Sequence, residues 1–512
     1  MALSTTVSDA RVRRQIALAD EAASDALAAE LALYARPGDL ILLSGDLGAG
    51  KTHFARATIR AIANDAALDV PSPTFTLRQD YETARFPVAH FDFYRLNSGE
   101  EADELDIDGA LSAGMALVEW PERAELLLRD WPTTLSLHFD FGDSGGRTAS
   151  LEGRGSWAER LARRDVVNAF LNETGHEADH RAFLQGDASP RRYERLRPAA
   201  GGSLILMDAP EAPDPGLAGG PSYSRIARLA ESVRPFIAMA RGLRDAGLHA
   251  PAILAANARA GLILLDDLGD GRIVDAGGPI PERYEAAVDA LAHLHGRDMR
   301  EAADGYRLPL YAMETMLAEV SLACEWYLPW RYGHPAITKT ADELQAAFRL
   351  VLEPVLHPAD NKSWTLRDYH SPNIIWIESA AGIDRVGIID FQDALIGPAA
   401  YDVASLCMDA RVDVPEALEA RLLDRYLTAR GPSFDREGFR RDYAAMAAQR
   451  NSKILGIFAR LALRDGKTRY LTHQPRIARY LKRALAHPHL KPVKDWYEAH
   501  LPEALDEKKV LK

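Results

Sequence analysis

Eight residues near the start of the chain, Gly45-Asp46-Leu47-Gly48-Ala49-Gly50-Lys51-Thr52, fit the pattern G-x-x-x-x-G-K-[ST]. Glycines let successive backbone N–H groups turn toward phosphate oxygens, and a helix N-terminus behind them adds positive charge. Lys51 suits the β- and γ-phosphates of a nucleotide, and the Thr52 hydroxyl suits Mg²⁺. Lysine is scarce here, eleven against fifty arginines, and none occurs between Lys51 and Lys339. A phosphate loop also needs a carboxylate near the metal. Asp92 in PVAHFDFYR and Glu119 in ALVEW each end an apolar run, where α/β sheets present ligands. Asp92 could orient or deprotonate a water, and Glu119 could hold Mg²⁺. The alternatives are an ion pair of Asp92 with Arg95 and a cap by Glu119 before Pro121.

A second set lies far downstream. Arg367-Asp368-Tyr369-His370-Ser371-Pro372-Asn373 places Asn five residues after Asp, and Val386–Asp393 (VGIIDFQD) carries an apolar strand into Asp390. Phosphoryl transfer to a hydroxyl needs a base for the acceptor and oxygen ligands for the metals on the triphosphate. Asp368 is assigned as base, with Asn373 and Asp390 as Mg²⁺ ligands. The competing reading of Asp368 is a turn cap beside Pro372.

These groups need elements to hold them. Asp20–Tyr34 has helical apolar spacing, Asp39–Ser44 is a short continuous apolar run typical of a buried parallel strand, and Thr52–Ala63 reads as helix. Further strands are expected at Thr74–Leu77, Val88–Phe93, Ala116–Glu119, Thr134–Phe141 and Thr148–Leu151, giving an α/β domain. Gly153–Ser156 marks an exit, followed by a helix over Trp157–Leu171 and short strands at Ser203–Met207 and Leu262–Leu265. After Asp270 the chain is mostly helical, apart from a strand-rich stretch at Ile374–Asp390. The expected fold is an α/β P-loop NTPase domain over 1–160 followed by a two-lobed kinase-like α+β domain over 161–512. Its small lobe is expected at about 165–265 and its helical lobe at about 270–500.

The 512 residues are 47% hydrophobic, 26% charged and 8% aromatic, which excludes disordered or collagen-like chains. Cys324 and Cys407 are too few for a disulfide framework or a four-thiolate zinc site. No apolar run reaches membrane-span length and the N-terminus lacks a signal-peptide core, so a cytoplasmic protein is expected, with no membrane association. The net charge is −13, and residues 1–163 carry 16 basic against 26 acidic side chains. That surface is a poor solo partner for a phosphate backbone, so no direct sequence-specific nucleic-acid binding is expected.

The set GDLGAGKT (45–52), SPTFTL (72–77), HFDFYRL (90–96) and VEWP (118–121) resembles the TsaE family, the ATPase subunits of bacterial tRNA threonylcarbamoyladenosine synthesis. The resemblance covers about residues 15–160. It implies ATP hydrolysis with TsaB and TsaD partners, Mg²⁺ on Thr52 and Glu119, and a switch-like loop at Ser72–Thr76 near the γ-phosphate. It also implies that tRNA is reached through the partners.

The stretches LQGDASPRRYERL (184–196), LILMDAP (204–210), LLDDLG (264–269), RDYHSPN (367–373) and IIDFQDALIGPAAY (388–401) resemble the aminoglycoside-phosphotransferase-like kinases, most closely the N-acetylmuramate/N-acetylglucosamine (AmgK) group. That resemblance implies ATP and Mg²⁺ and an amino-sugar acceptor phosphorylated at its anomeric hydroxyl. Gly186, Ser189, Arg191 and Arg192 would belong to the loop over the nucleotide phosphates, and Asp266–Leu268 would be the hinge whose backbone meets adenine. Asp402 reads as a structural carboxylate. Other acceptors of the family (aminoglycosides, choline-like or homoserine-type alcohols) and a non-catalytic module remain as alternatives. Two departures stand out. Leu366 occupies the usual histidine position, and Met207 lies where kinases carry a phosphate-gripping lysine, so Arg191, Arg192 or Arg195 is expected to substitute.

Three further features read as packing or surface. His293 and His295 lie two apart on a helix and face different ways. The aromatics of EWYLPW (325–330) fit a helical core. The acidic run 100–108 lacks the glycine turn of a Ca²⁺ loop.

Overall fold

The computed structural model describes residues 11–96, 99–142, 146–184, 191–211, 222–297, 305–336, 338–356 and 362–511. The chain divides into two compact units, Met1–Asp208 and Ala209–Lys512.

The first unit is built on seven strands: β1 (Arg11–Leu18), β2 (Leu40–Gly45), β3 (Arg78–Tyr81), β4 (Val88–Asp92), β5 (Met115–Glu119), β6 (Thr134–Phe141) and β7 (Arg147–Arg154). Their spatial order is β1-β7-β6-β2-β5-β4-β3. β2 runs parallel to both β5 and β6, and β4 parallel to β5, while the outer pairs are antiparallel. Period-two alternation divides each central strand between two cores. Ile41, Leu43, Met115 and Leu117 meet α1 (Glu21–Tyr34), α2 (Lys51–Ala63) and the start of the long helix Ser156–Thr174. Leu40, Ala116 and Val118 meet short helices α3 (Glu100–Asp103), α4 (Ile107–Ala113) and α5 (Glu125–Leu128). Asp20 caps α1 by accepting from Ala23 N at 2.8 Å.

The long helix α6 (Ser156–Thr174) runs unbroken through residues 160 and 161, where a domain division is expected from sequence, and the compact unit continues to Asp208. Beyond it β8 (His180–Leu184), β9 (Arg192–Arg197) and β10 (Leu204–Asp208) form an antiparallel meander.

One expectation is corrected here. Residues 74–77 are not a strand: Leu77 is left-handed (φ 64°), its N–H donates to Pro73 O at 2.6 Å, and the strand begins only at Arg78. β1 carries no apolar run, because as an edge strand rich in arginine it depends on its ladder with β7. The acidic run becomes α3, a turn and the N-cap of α4, where Asp106 accepts from Gly109 N at 3.1 Å.

The second unit opens with α7 (Tyr223–Ile226), α8 (Arg234–Asp245) and the hairpin β11 (Ile253–Asn257) with β12 (Leu262–Asp266), then a two-residue ribbon of β13 (Val274–Asp275) and β14 (Gly278–Pro279). Helices α9 (Pro281–His295), α10 (Met313–Leu322), α11 (Leu328–Tyr332) and α12 (Thr338–Leu356) precede two small antiparallel pairs. These are β15 (Lys362–Thr365) with β18 (Leu395–Pro398), and β16 (Ile374–Trp376) with β17 (Val386–Ile388). Helices α13 (Ala400–Cys407), α14 (Glu416–Ala429), α15 (Arg436–Asp465), α16 (Gln474–Ala484) and α17 (Lys491–His500) complete it. α15 is buried on every side from Asp442 to Ser452, which makes it the axis of the helical core. Tyr327 of EWYLPW is buried and donates to Val510 O at 3.0 Å, and Cys324 and Cys407 are buried thiols. Among the described residues no helix is long and apolar enough to cross a membrane.

Candidate functional site

In the first unit, β2 delivers Gly45 at the carboxyl edge of the sheet and α2 starts at Lys51. Gly45 has φ 130°, and a Cβ there would lie 2.4 Å from Phe139 O, so the loop leaves the sheet through a gap only glycine fits. Lys51 folds back over the loop, its Nζ donating to Gly45 O at 2.7 Å and Asp46 O at 2.9 Å and lying 3.7 Å from the centre of the Trp120 ring. Burial lowers the Lys51 pKa, while Glu119, Glu122, Asp92 and Asp46 act to raise it.

The parallel register pairs Asp92 of β4 with Glu119 of β5, so both carboxylates end up side by side at the strand ends. Thr52 Oγ1 donates to Glu119 Oε2 at 2.7 Å, and His90 Nε2 lies 2.9 Å from the other oxygen. Glu119 and His90 are fully buried. Asp92 Oδ2 accepts from Thr74 Oγ1 at 2.5 Å, Thr74 is 2.8 Å from Ser72 Oγ, and Tyr94 N donates to Asp92 Oδ1 at 3.0 Å. The Ser72–Thr76 loop is thereby tied to the carboxylate beside the phosphate loop. Phe75 stands out at its tip, 80% exposed, with Arg95 4.1 Å over its ring.

In the second unit the antiparallel pairing of β16 with β17 sets Ile374 against Ile388. Asn373 and Ile389 flank that pair, and Ile389 N donates to Asn373 O at 3.1 Å. This brings Asn373 Nδ2 to 3.3 Å from Asp390 Oδ2 and 2.9 Å from Asp368 O. Gln392 Nε2 donates to Asp390 Oδ1 at 2.8 Å. Asp390 (φ 58°) and Arg367 (φ 70°) both adopt the left-handed region, at about 1–3 kcal/mol each, so surrounding contacts must hold them there. Asp402 does so from α13, accepting from Leu366 N at 2.7 Å and Arg367 N at 2.9 Å while buried beside His295. Burial lowers the His295 pKa, favouring neutral imidazole. Arg367 donates to Ala227 O at 2.9 Å and pairs with Glu319, which also accepts from Lys453 Nζ at 2.8 Å and Gln449 Nε2 at 2.8 Å.

The remaining expected residues are spread around this centre. Asp266 is engaged with the chain at Ala252, whose N–H donates to its carboxylate at 2.5 Å, and Leu268 packs beside Gly387. Gly186 and Ser189 lie outside the described residues. Arg191 precedes β9. Arg192 pairs with Glu194 at 2.8 Å, opposite Asp208 in the register, whereas Arg195 lies opposite Ile205 on the face shared with Met207.

Comparison with known proteins agrees with both geometries. The family model for threonylcarbamoyl adenosine biosynthesis protein TsaE matches residues 18–148, and that for the phosphotransferase enzyme family matches residues 180–447. The N-acetylmuramate/N-acetylglucosamine kinase of Caulobacter vibrioides is 38% identical over 66% of this chain and 97% of its own length. The TsaE protein of Rickettsia conorii is 38% identical over 33% of this chain and 93% of its own length. The chain belongs to both families. A second kinase relative, from Pseudomonas aeruginosa, is 36% identical over 59% of this chain and 82% of its own. The protein is therefore an enzyme with an ATP-hydrolase part of TsaE type and a phosphotransferase part, and ATP is the nucleotide both families use.

Among the described residues no three His, Cys, Asp or Glu side chains form a metal cage. Mg²⁺ does not require one, because it binds through one or two protein oxygens together with phosphate oxygens and water. In the TsaE part, Thr52 Oγ1 and Glu119 Oε2 converge from two elements and supply such a pair. In the phosphotransferase part, the carboxamide of Asn373 and the carboxylate of Asp390 do so. Both sets fit a hard, oxygen-seeking cation.

The motifs missed two contributors to the TsaE part. His90, 2.9 Å from Glu119 Oε1, fixes the orientation of that carboxylate, as a partner to a metal ligand would. Arg147 of β7 reaches the phosphate loop from a hundred residues away, its Nη2 donating to Gly48 O at 3.3 Å while the buried Nε finds no hydrogen-bond partner among the described residues. His90 was legible within HFDFYRL. Arg147 was not, because no local pattern encodes an arrival from an antiparallel edge.

Proposed function

We propose that the first part hydrolyses ATP as a subunit of the tRNA threonylcarbamoyladenosine machinery, and that the second phosphorylates the anomeric hydroxyl of N-acetylmuramate or N-acetylglucosamine with ATP. The functional division falls near residue 160, inside α6. The first reading is carried by the pairing of Asp92 with Glu119 beside Thr52. There Lys51 grips the β- and γ-phosphates, Thr52 and Glu119 hold Mg²⁺, and Asp92 accepts the hydrogen bond of the attacking water. Thr74 on Asp92 lets the Ser72–Thr76 loop sense that water. Mg²⁺, when bound, neutralises charge on the phosphate oxygens. Partners of the TsaB and TsaD type bring the tRNA, since the acidic first part is a weak binder of nucleic acid alone.

The second reading is carried by the convergence of Asn373 on Asp368 and Asp390. A carboxylate oxygen of Asp368 takes the proton of the acceptor hydroxyl, while Asn373 and Asp390 hold the metal on the triphosphate. Asp266–Leu268 meets adenine, and the loop with Gly186, Ser189, Arg191 and Arg192 covers the phosphates. Arg195, on the face of Met207, takes the place of the missing lysine. We assign the protein to the cytoplasm, where ATP, tRNA and amino sugars are available.

Incubation with ATP and a panel of N-acetylmuramate, N-acetylglucosamine, an aminoglycoside, choline and homoserine tests the acceptor. Label on an alkali-stable alcohol phosphate rather than an acid-labile sugar 1-phosphate overturns the amino-sugar acceptor, and label on no acceptor overturns the kinase reading.

A further inference from the structure

The first unit has a cleft of about 310 Å³ at the entry to β2, the strand end away from the phosphate loop. Its wall includes Tyr34 and Arg36 after α1, Arg85 and Phe86 before β4, Phe183 of β8 and Arg192 of β9. Four carboxylates surround it, and each already holds an arginine. Asp39 pairs with Arg160 at 2.6 Å, Glu30 with Arg164 at 2.6 Å, Asp208 with Arg163 at 2.7 Å and Glu194 with Arg181 at 2.7 Å.

Those pairs are neutral and Arg192 is engaged with Glu194 at 2.8 Å and Asp208 at 3.9 Å, so Arg36 and Arg85 are two cations in excess in a chain that is acidic overall. Arg192 shares Glu194 and stacks 4.0 Å over Tyr34. Arg85 donates to the carbonyls of Ala32 and Ala35 at 2.7 and 2.9 Å and stacks 4.2 Å over Phe183. The other acid acting on Arg36 is Glu159, exposed on α6. Burial together with Arg192 pushes the Arg85 pKa down to about 10, and burial followed by Arg160 and Arg192 lowers that of Arg36. Two cations, Arg36 and Arg85, that make no ion pair among the described residues and share a partly dry cleft favour an anion.

We propose that this cleft binds a small phosphomonoester bearing a flat apolar group, its dianion held by Arg36 and Arg85 and its flat group against Phe183. Phosphate suits the site better than carboxylate because it brings close to two charges and three acceptor oxygens for guanidinium forks. The cleft falls in the size range of small-molecule sites. The anion is held by no residue assigned to either nucleotide site or to the kinase acceptor.

The test is a calorimetric titration of the full chain, with Mg-ADP saturating the nucleotide sites and phenyl phosphate as probe. Wild type is expected to bind one equivalent, and Arg36→Glu, on an exposed side chain that folding does not depend on, to bind at least tenfold more weakly. Arg85→Met is expected to weaken binding as well, with a thermal scan checking that α1 keeps its end. Equal affinity in wild type and Arg36→Glu, no binding to wild type, or phenol binding as tightly as phenyl phosphate overturns the proposal.

Discussion

Glu319→Gln tests how the catalytic loop of the phosphotransferase part is held. The substitution keeps the shape of a fully buried side chain and removes the charge between Arg367 and Lys453. Burial alone would raise the Glu319 pKa, but Lys453 and Arg367 win and hold it down from 4.5 to about 2. At about 1.4 kcal/mol per pH unit that difference amounts to about 3 kcal/mol, the low end of the ~3–5 kcal/mol range for breaking a buried pair. The folded pKa lies below the unfolded one. The contribution is therefore complete above about pH 4.5 and is lost as the pH falls toward 2. Urea unfolding followed by tryptophan fluorescence, with Trp364 buried in β15 beside the loop, reads it out. The variant is expected to be less stable by about 3 kcal/mol at pH 7, with the gap narrowing as the pH drops from 5 to 3. Because Arg367 adjoins Asp368, kcat of the kinase should fall more than KM for ATP rises. A gap below about 1 kcal/mol, or one independent of pH, would refute the reasoning.

Other perturbations probe the remaining joints. Gly45→Ala drives a Cβ to 2.4 Å from Phe139 O, so a loss of at least about 2 kcal/mol and of ATP hydrolysis is expected, seen as a lower Tm and a flat phosphate-release trace. His90→Ala leaves Glu119 without its orienting partner, and a Mg²⁺ titration of ATP hydrolysis should shift to about ten- to a hundredfold higher metal. Asp402→Asn can accept only one of the two N–H groups from Leu366 and Arg367, so kinase kcat should drop about tenfold or more with the pH optimum unchanged.

Much of this was legible from the sequence because the chemistry is local there. GDLGAGKT lies between a buried strand and a helix, and both form within a residue of the expected bounds. RDYHSPN and IIDF converge because a short strand pair separates them. What escaped depends on distant partners. β1 is an edge strand without an apolar signature, Leu77 is forced left-handed by the turn that ties Thr74 to Asp92, and Arg147 arrives across the sheet. Helix α6 serves two neighbours. Trp157 and Leu161 fill the core under β2, while Arg163 and Asn168 bond the strands that follow.

The central claim is that one chain operates two ATP sites with separate acidic groups. The most direct measurement follows phosphate release with TsaB- and TsaD-type partners, and sugar 1-phosphate formation from N-acetylmuramate, in wild type, Lys51→Ala and Asp368→Ala. Lys51→Ala should abolish release and leave sugar phosphorylation within about twofold of wild type, and Asp368→Ala should do the reverse. Loss of both activities in either folded variant would contradict the account.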